Sequence, residues 1–383
     1  RSVSSAGGQP KRHFYHGLLE DKVESIIRVG LPSADVHRGT KFTIGSAEFE
    51  NDLLVCLGNW LILIEAKSHK INAAARRGAP GSLDEQIRRL IERPSQQSAR
   101  FAEYLSSEPR KHRLTSKKGL PYELNSADIS RILRLNVSLE AVGSPLSTEV
   151  RAMQESGFIS GGQKPALTIN LFDLAVVFEV LLSEEERADY LYRRLDLQAG
   201  GRFDGDERDL LLFYIAAQMR TSYPSKDCFV RLAGLGRQIS DFYPPPSSGM
   251  KRVRPVRRYT PFWRRTIEFL RGYRGLYWPE AAILLLTASI EEQLNFEKGL
   301  RKCLQKPASA HGLTITAQGW NETNVVLGAV IRPTAPRMPS LREQGLNQLR
   351  LGKADQVLLL GFDSHLHPVE VLMLTSRERP IWI

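Results

Sequence analysis

The sequence predicts an α/β protein whose N-terminal αβββαβ region is followed by a mainly helical region and by a C-terminal α/β region. Three observations predict this class. Apolar residues recur at helical spacing near the N-terminus, two long apolar segments flank a dipeptide suited to a tight turn, and strand-like segments return after a helical middle. The regions are expected at residues 1–142, 143–242 and 243–383, and the Pro, Ser and Gly-rich segment 243–249 indicates a linker.

The N-terminal region is predicted to contain a helix, three strands, a second helix and a fourth strand. Apolar residues three and four positions apart predict the first helix over 17–29. Gly58-Asn59 suits a two-residue turn between antiparallel strands, and Pro94 predicts that the second helix is interrupted or kinked. The remaining elements are expected at these positions: strands 38–44, 49–57, 60–68 and 131–142, and a helix at 82–93 that continues through 96–105.

The other two regions are predicted to be helical first and mixed later. Asp173 is expected to cap the first helix of the middle region. Helical spacing predicts helices at 174–182, 183–195, 206–220, 280–303 and 340–351. Strands are expected at 323–331, 355–362 and 368–374.

Composition narrows the classes of function. Of the 383 residues, 42% are hydrophobic and 25% are charged, which is typical of a globular protein and excludes a disordered chain. The formal net charge of +11 favours a polyanionic partner, either nucleic acid or an anionic membrane surface. The longest apolar run, at 281–290, is too short to span a bilayer, so no membrane insertion is expected. Three distant cysteines without a paired motif indicate a reducing compartment, the cytoplasm.

Four charged residues lie within the two apolar segments of the predicted hairpin. A turn at Gly58-Asn59 would put Asp52 opposite Glu65 and Glu50 opposite Lys67, with all four side chains on one face. Directly opposed carboxylates about 5 Å apart repel by about 3 kcal/mol at an effective dielectric constant near 20. Folding alone gives no reason to accept this repulsion.

A divalent cation between the carboxylates would remove the repulsion. Mg²⁺ is usually held by one or two carboxylates, several waters and a substrate phosphate, and Mn²⁺ accepts the same ligands. Such an ion stabilises the transition state of phosphodiester hydrolysis and lowers the pKa of an attacking water, and Lys67 could orient that water. The alternative is a solvated strand edge on which Glu50 pairs with Lys67 and the Asp52–Glu65 contact is accidental.

Asp52 followed after twelve residues by Glu65-Ala66-Lys67 resembles the motif of the PD-(D/E)XK nuclease superfamily. The predicted αβββαβ order is similar to that family's restriction-endonuclease-like core, and the resemblance covers about residues 15–142. It implies that Asp52 and Glu65 bind the metal together with the Ala66 carbonyl, and that Lys67 assists catalysis.

The resemblance also implies accessory residues. Many members add a glutamate from the first helix, for which Glu20 is the candidate and Glu24 the alternative. Asn51 stands where the family often has proline. Several branches carry a QxxxY motif on the helix after the ExK residues; here Gln97 is followed by Phe101 instead of tyrosine.

Two basic segments are candidates for contact with nucleic acid. Arg76 and Arg77 follow the motif in a predicted loop. Residues 251–275 combine many arginines with aromatic residues, as phosphate neutralisation and base stacking require, and the candidates are Arg257, Arg258, Arg264 and Arg265. The alternative for this segment is a solvated amphipathic helix whose aromatic residues pack on the core.

The resulting hypothesis is a cytoplasmic Mg²⁺- or Mn²⁺-dependent nuclease that hydrolyses DNA. By analogy, a role in bacterial phage defence, restriction or repair is expected. The alternative is a non-catalytic nucleic-acid-binding or scaffold protein built on a relic of the fold. A third hypothesis is a nuclease subunit that stays silent until a partner releases it, and a homo-oligomer is also left open.

Overall fold

The computed structural model describes residues 9–107, 110–140, 150–155, 157, 159–160, 165–200, 202–219, 229–232, 234–244, 247, 249, 251–273, 275–305, 313–315, 324–331, 339–351, 354–376 and 381–382. The chain is a mixed α/β protein that divides into two compact units, Arg1–Val256 with Arg379–Ile383 and Arg257–Glu378. The predicted boundary at 142/143 lies outside the described residues, and the predicted helical region belongs to the first unit. In the described part of the chain, no helix has the length and apolar character needed to cross a bilayer.

The first unit begins with the predicted helix and three-stranded hairpin series. Its elements are α1 Gln9–Gly30, β1 Asp35–Ile44, β2 Ala47–Leu57, β3 Trp60–Lys67, α2 Ala73–Arg76, α3 Pro80–Ile87, a π-helical turn Arg88–Glu92, α4 Arg93–Ser106, β4 Lys111–Thr115, β5 Pro121–Asn125, β6 Arg131–Ser138, α5 Val150–Glu155, β7 Leu167–Asn170, α6 Leu171–Val180, α7 Glu184–Gly200, β8 Arg202–Asp204, α8 Glu207–Ala217, β9 Phe229–Arg231, α9 Arg237–Phe242 and, at the C-terminus of the chain, β14 Ile381–Trp382.

One mixed sheet organises this unit. Its strand order is β14-β6-β3-β2-β1-β4-β5, and β7 also pairs with β6. β1, β2 and β3 are antiparallel neighbours, whereas β6 runs parallel to β3 and β7 runs parallel to β6. The hairpin β4–β5 lies between α4 and β6, where the sequence predicted no strand, and it extends the sheet beyond β1.

The faces of the sheet are covered by helices. α4 packs on β3 and β6, and its side of the sheet contains an apolar cluster that includes Phe42, Leu54, Leu63 and Phe101. α1 packs on β1, β2 and β3. Because neighbouring side chains of a strand alternate between faces, Ile64 is buried on the face opposite Leu63. β3 is therefore buried on both faces, as its continuous apolar sequence predicts.

The predicted kink near Pro94 is a change of helix type. The π-helical turn at Arg88–Glu92 lies directly before Pro94 and joins α3 to α4. Proline has no N–H to donate to the preceding turn, and a wider turn accommodates the loss of that bond. The Ile91 carbonyl of this turn also accepts hydrogen bonds from two side chains, from Ser95 Oγ at 2.6 Å and from Asn136 Nδ2 at 3.3 Å.

The helical part of the first unit corrects one predicted cap. α6 is capped by Asn170, whose Oδ1 accepts the backbone N–H of Asp173 at 2.9 Å, so Asp173 lies inside the first turn and is not the cap. The next two helices, α7 and α8, are joined by a buried ion pair between Arg194 Nε and Glu207 Oε2 at 3.2 Å.

In the described residues of the second unit, three helices and a crossover helix pack on a small sheet. Its elements are α10 Pro261–Tyr273, α11 Trp278–Thr287, α12 Ile290–Leu304, β10 Leu313–Ile315, β11 Asn324–Val330, α13 Pro339–Arg350, β12 Gln356–Phe362 and β13 Pro368–Thr375. β11 and β12 are parallel, and the outer strands are antiparallel to them. The helix predicted at 280–303 is two helices, because Ser289 and Glu292 form a capping box that starts a new one.

Candidate active site

The hairpin that carries the predicted motif has the expected register up to one point. β2 and β3 pair without a shift from the turn to Leu53 opposite Ile64. On the other side of β2, the ladder to β1 omits the pair Gly39 and Asp52. Asp52 therefore lies where the β2–β3 pairing ends and where the β1–β2 pairing is interrupted by one residue pair.

Side chains replace the hydrogen bonds that the β2–β3 ladder no longer makes. Asn51 Nδ2 donates to the Ile64 carbonyl at 3.3 Å, and Asp52 Oδ2 accepts the backbone N–H of Ala66 at 2.7 Å. The N–H and C=O of one strand residue point to the same side, so the Ala66 carbonyl also points toward β2. The next carbonyl, that of Lys67, points to the opposite side, where it accepts a backbone bond of 3.2 Å from the chain just after β6.

The alternation of side chains along β2 is interrupted at Asp52. Phe49 and Leu54 pack against the same apolar cluster, although residues an odd number of positions apart lie on opposite faces of a regular strand. The interruption coincides with Gly39 on β1, whose φ of +58° is in the left-handed region. Residues of β2 before Asp52 are therefore on the faces opposite to those that simple alternation predicts.

This interruption corrects the predicted position of Glu50. The sequence placed Glu50 on the face of Asp52, opposite Lys67. In the structure Glu50 is exposed, and its Oε1 lies 3.0 Å from the position that a Cβ on Gly39 would take, next to the side chain of Lys117. The four predicted charges therefore do not form one patch.

The other three predicted charges do meet. Lys67 Nζ lies 2.8 Å from Glu65 Oε2 and 3.4 Å from Asp52 Oδ2. Asn51, which approaches from β2, donates from Nδ2 to the second oxygen of Glu65 at 2.9 Å. The Glu65 side chain is 1% exposed, whereas those of Asp52 and Lys67 are 13% and 16% exposed, so the site opens to solvent on the side of Asp52 and Lys67. Asp52 and Glu65 are called the acid pair below.

The surroundings of this site shift the pKa values of Glu65 and Lys67. Burial raises the pKa of Glu65 to about 8, and the charge of Asp52 acts in the same direction, against the opposing effects of Lys67 and Asn51. Burial opposes the charged form of Lys67, but attraction to Glu65 and Asp52 outweighs it and raises the pKa of that amine. A divalent cation at the acid pair would favour the ionised form of Glu65 and so counteract both causes of its raised pKa.

The donor atoms fit a hard divalent cation in kind. Two carboxylates and the Ala66 carbonyl supply oxygen ligands, and Mg²⁺ normally completes its coordination with water and substrate phosphate. Within the described ranges, no group of three or more His, Cys, Asp or Glu residues is arranged to hold a metal ion. The fit is therefore to a site with two carboxylates and not to one with three.

Glu20, the predicted ligand from α1, lies in a different charged cluster. Its Oε2 accepts from Arg38 Nη2 at 2.7 Å and from Lys117 Nζ at 3.2 Å. Glu24, the predicted alternative, pairs with Arg28 at 2.9 Å. Both glutamates thus have cationic partners on the α1 side of the sheet, and neither forms a metal-binding group with the acid pair in the part of the chain that the structure describes.

The predicted accessory residues near the motif are at the surface. Gln97 lies on the exposed side of α4, whose buried side includes Phe101. Arg76 donates to Glu140 at 2.8 Å, which ties α2 to the chain after β6, and Arg77 is exposed at the end of that helix.

The basic segment before and within α10 divides into buried and exposed arginines. Arg257 is buried and donates to the Leu286 carbonyl, so it is unavailable for the predicted contact with nucleic acid. Phe262 and Trp263 are in the core of the second unit, as the alternative interpretation of this segment predicted. The other candidates on this segment are exposed: Arg258, Arg264 and Arg265.

Two residues of the site were missed in the sequence. Asn51 was treated only as a departure from proline, although it contacts Glu65. Gly39 was not singled out, although a glycine inside a strand-like segment is a known signal for a local irregularity or a close approach of backbone.

Comparisons of this chain with protein-family models, with curated proteins and with solved structures gave no match.

Proposed function

We propose that this chain is a metal-dependent nuclease that hydrolyses DNA phosphodiester bonds, with a restriction-endonuclease-like core in its first unit. The observation that carries the proposal is the meeting of two carboxylates and an amine at a break in the β2–β3 ladder, with both acids within 3.4 Å of Lys67 Nζ. The site is partly open to solvent, which an incoming phosphate requires.

Each residue of the site has a separate proposed role in catalysis. Asp52 and Glu65, with the Ala66 carbonyl, would hold Mg²⁺ or Mn²⁺. When bound, such an ion neutralises charge on the scissile phosphate and lowers the pKa of a water ligand. With the metal bound, Lys67 would no longer contact the acid pair and would donate a hydrogen bond to the attacking water or to a phosphate oxygen. Asn51 keeps the Glu65 carboxylate oriented through the 2.9 Å hydrogen bond.

The exposed arginines are proposed to contact the DNA backbone. Arg258, Arg264 and Arg265 lie before and on α10 in the second unit, and Arg77 lies at the end of α2 in the first unit. Arginine neutralises phosphate charge without regard to base sequence, so these residues would supply affinity and not sequence preference. An activity of this kind would serve phage defence, restriction or repair in a bacterial cytoplasm.

The test compares cleavage by the wild-type chain and by two variants of β2. Linear and circular duplex DNA are incubated with the full chain and Mg²⁺ or Mn²⁺. Asp52→Asn is expected to lower the cleavage rate by about 100-fold or more, the loss typical of removing a group that stabilises transition-state charge. Glu50→Gln is the matched control, because Glu50 is two residues away but on the other face, and it is expected to cleave normally.

The alternative, a non-catalytic nucleic-acid-binding or scaffold protein, is favoured by one observation. Lys67 already neutralises the acid pair through two ion-pair contacts, which is an arrangement that a relic site could keep for stability alone. Tight DNA binding by the wild-type chain, together with equal and background-level cleavage by wild type and Asp52→Asn in Mn²⁺, would establish this alternative. Cleavage that appears only after addition of a partner protein would identify the silent-subunit form of the nuclease.

A further inference from the structure

Four polar side chains form a row across the interior of the sheet of the first unit. They are Asn51 on β2, Glu65 on β3, Asn136 on β6 and Thr168 on β7, and each is 1% exposed. Glu65 is the register partner of Asn136, and Asn136 is the register partner of Thr168. Protein interiors keep such residues only where their polar atoms have partners.

The amide of Asn136 has a fixed orientation. Its Nδ2 lies 3.1 Å from Ser95 Oγ and 3.3 Å from both Thr168 Oγ1 and the Ile91 carbonyl. The Ser95 hydroxyl donates its own hydrogen to the Ile91 carbonyl at 2.6 Å, so toward Asn136 it can only accept. A carbonyl also only accepts. A flipped amide would direct its oxygen at these acceptors, which excludes the flip.

The amide oxygen of Asn136 must therefore face the opposite direction, toward β3. Register partners on parallel strands lie on the same face, and neighbouring strands are about 4.8 Å apart, so Oδ1 faces the side chain of Glu65. Among the described residues, this buried Oδ1 has no hydrogen-bond partner. A buried acceptor without a donor destabilises the fold, and the neighbouring Glu65 supplies no hydrogen in the ionised form that would bind the metal.

We propose that a water molecule is held between Asn136 Oδ1 and Glu65, and that Asn136 is a positioning residue for the water shell of the divalent ion. A water supplies two hydrogens, one for each acceptor, and its own oxygen stays available to a cation. Mg²⁺ and Mn²⁺ retain water ligands, and partners of those ligands orient the site. The inference rests on the proposed function, because it assigns the ion to the acid pair.

The test measures Mn²⁺ binding to the full chain by calorimetry in three variants. Asn136→Leu removes the amide oxygen, and we expect its Mn²⁺ affinity to fall by about ten-fold, the lower end of the range for partners of metal ligands. Asn136→Asp loses the donor group but keeps an oxygen toward β3, and we expect it to bind at least as tightly as wild type. Thr168→Val is the matched control, since it removes an acceptor of Nδ2 and leaves Oδ1 in place.

Three outcomes would overturn the inference. Unchanged Mn²⁺ affinity in Asn136→Leu overturns it and leaves the proposed nuclease intact. Equal losses in all three variants indicate that Asn136 only stabilises the fold. Absence of Mn²⁺ binding by wild type and Asp52→Asn alike overturns the proposed function together with the inference. Should Asn136→Leu fail to fold, a crystal structure of the wild-type chain with Mn²⁺ decides: a water must lie within hydrogen-bond distance of Asn136 Oδ1 and Glu65, and its absence there refutes the proposal.

Discussion

Gly39 lies opposite Asp52 on β1 and adopts a backbone conformation that interrupts the pairing of the two strands. Replacing Gly39 therefore tests the geometry of the site directly. Its φ is +58°, where a side chain on an L-residue costs about 1–2 kcal/mol. A Cβ at this position would lie 2.8 Å from the Cβ of Lys117 and 3.0 Å from Glu50 Oε1. The Glu50 carboxylate can rotate away, but a Cβ moves only with its backbone, so the contact with Lys117 adds about 1–3 kcal/mol of overpacking. Gly39→Ala is therefore expected to lower the free energy of unfolding by about 2–5 kcal/mol in total.

Gly45 provides the matched control on the same strand pair. It has nearly the same φ, +61°, but no atom lies within 4 Å of the position of its Cβ. Gly45→Ala is expected to lose only the backbone part, about 1–2 kcal/mol. Urea denaturation at one pH measures both losses, and Mn²⁺ calorimetry measures the site: Gly39→Ala should weaken binding because it displaces β1 next to Asp52, and Gly45→Ala should not. Equal losses of stability, or normal Mn²⁺ binding in a folded Gly39→Ala chain, would refute the assignment of Gly39.

Three further predictions concern charges. The folded-state pKa of Glu65 is about 8 against an ordinary value of 4.5, so the folded chain keeps a proton that the unfolded chain releases. The contribution of this proton to the free energy of unfolding is fully present below about pH 4.5 and is lost as pH rises to about 8. Urea denaturation with a chelator should therefore show wild type losing stability relative to Glu65→Gln across that window, and parallel curves would contradict it. Lys67→Met removes the cation that competes for the acid pair, so Mn²⁺ should bind about ten-fold more tightly while DNA cleavage falls by about 100-fold; weaker Mn²⁺ binding would contradict the competition. Replacing both Arg264 and Arg265 by glutamine should weaken the proposed DNA binding and reduce the slope of log K against log salt by about 2, and an unchanged slope would show that α10 does not contact DNA.

The part of the site that the sequence predicted is the part that local rules determine. A tight turn at Gly58-Asn59 and the alternation of strand residues fix the β2–β3 register as far as Leu53 opposite Ile64. The same rules failed at Asp52, because the interruption there depends on Gly39 of another strand. A single strand pattern carries no information about the neighbour that distorts it, so Glu50 was assigned to the wrong face.

The basic segment of the second unit shows the same limit. Arginines and aromatic residues alternate there in a pattern that fits either a nucleic-acid surface or an amphipathic helix. The choice depends on distant partners: Trp263 packs edge-on against Phe296 with ring centroids 5.4 Å apart, and Phe262 lies 5.3 Å from the ring of Phe362. Arg257 is likewise buried, and it donates a hydrogen bond to a carbonyl of α11. No spacing within residues 251–275 encodes these contacts.

The energetics of the acid pair argue that stability alone does not explain it. Glu65 is buried with a pKa near 8, next to a second carboxylate, and its only cationic contact in the described structure is Lys67. A buried ion pair is often no more stable than apolar residues of similar volume, and the residues on either side of Glu65, Ile64 and Ala66, show that apolar residues fit the strand there. The chain nevertheless places Asp52 at the point where both ladders of β2 are interrupted, and uses its carboxylate and the Asn51 amide to replace the lost backbone bonds. The loss of ladder hydrogen bonds and the burial of a weak acid both destabilise the fold. Such an arrangement is expected where a bound ion and its substrate compensate for this loss of stability, so binding of Mn²⁺ is the decisive measurement.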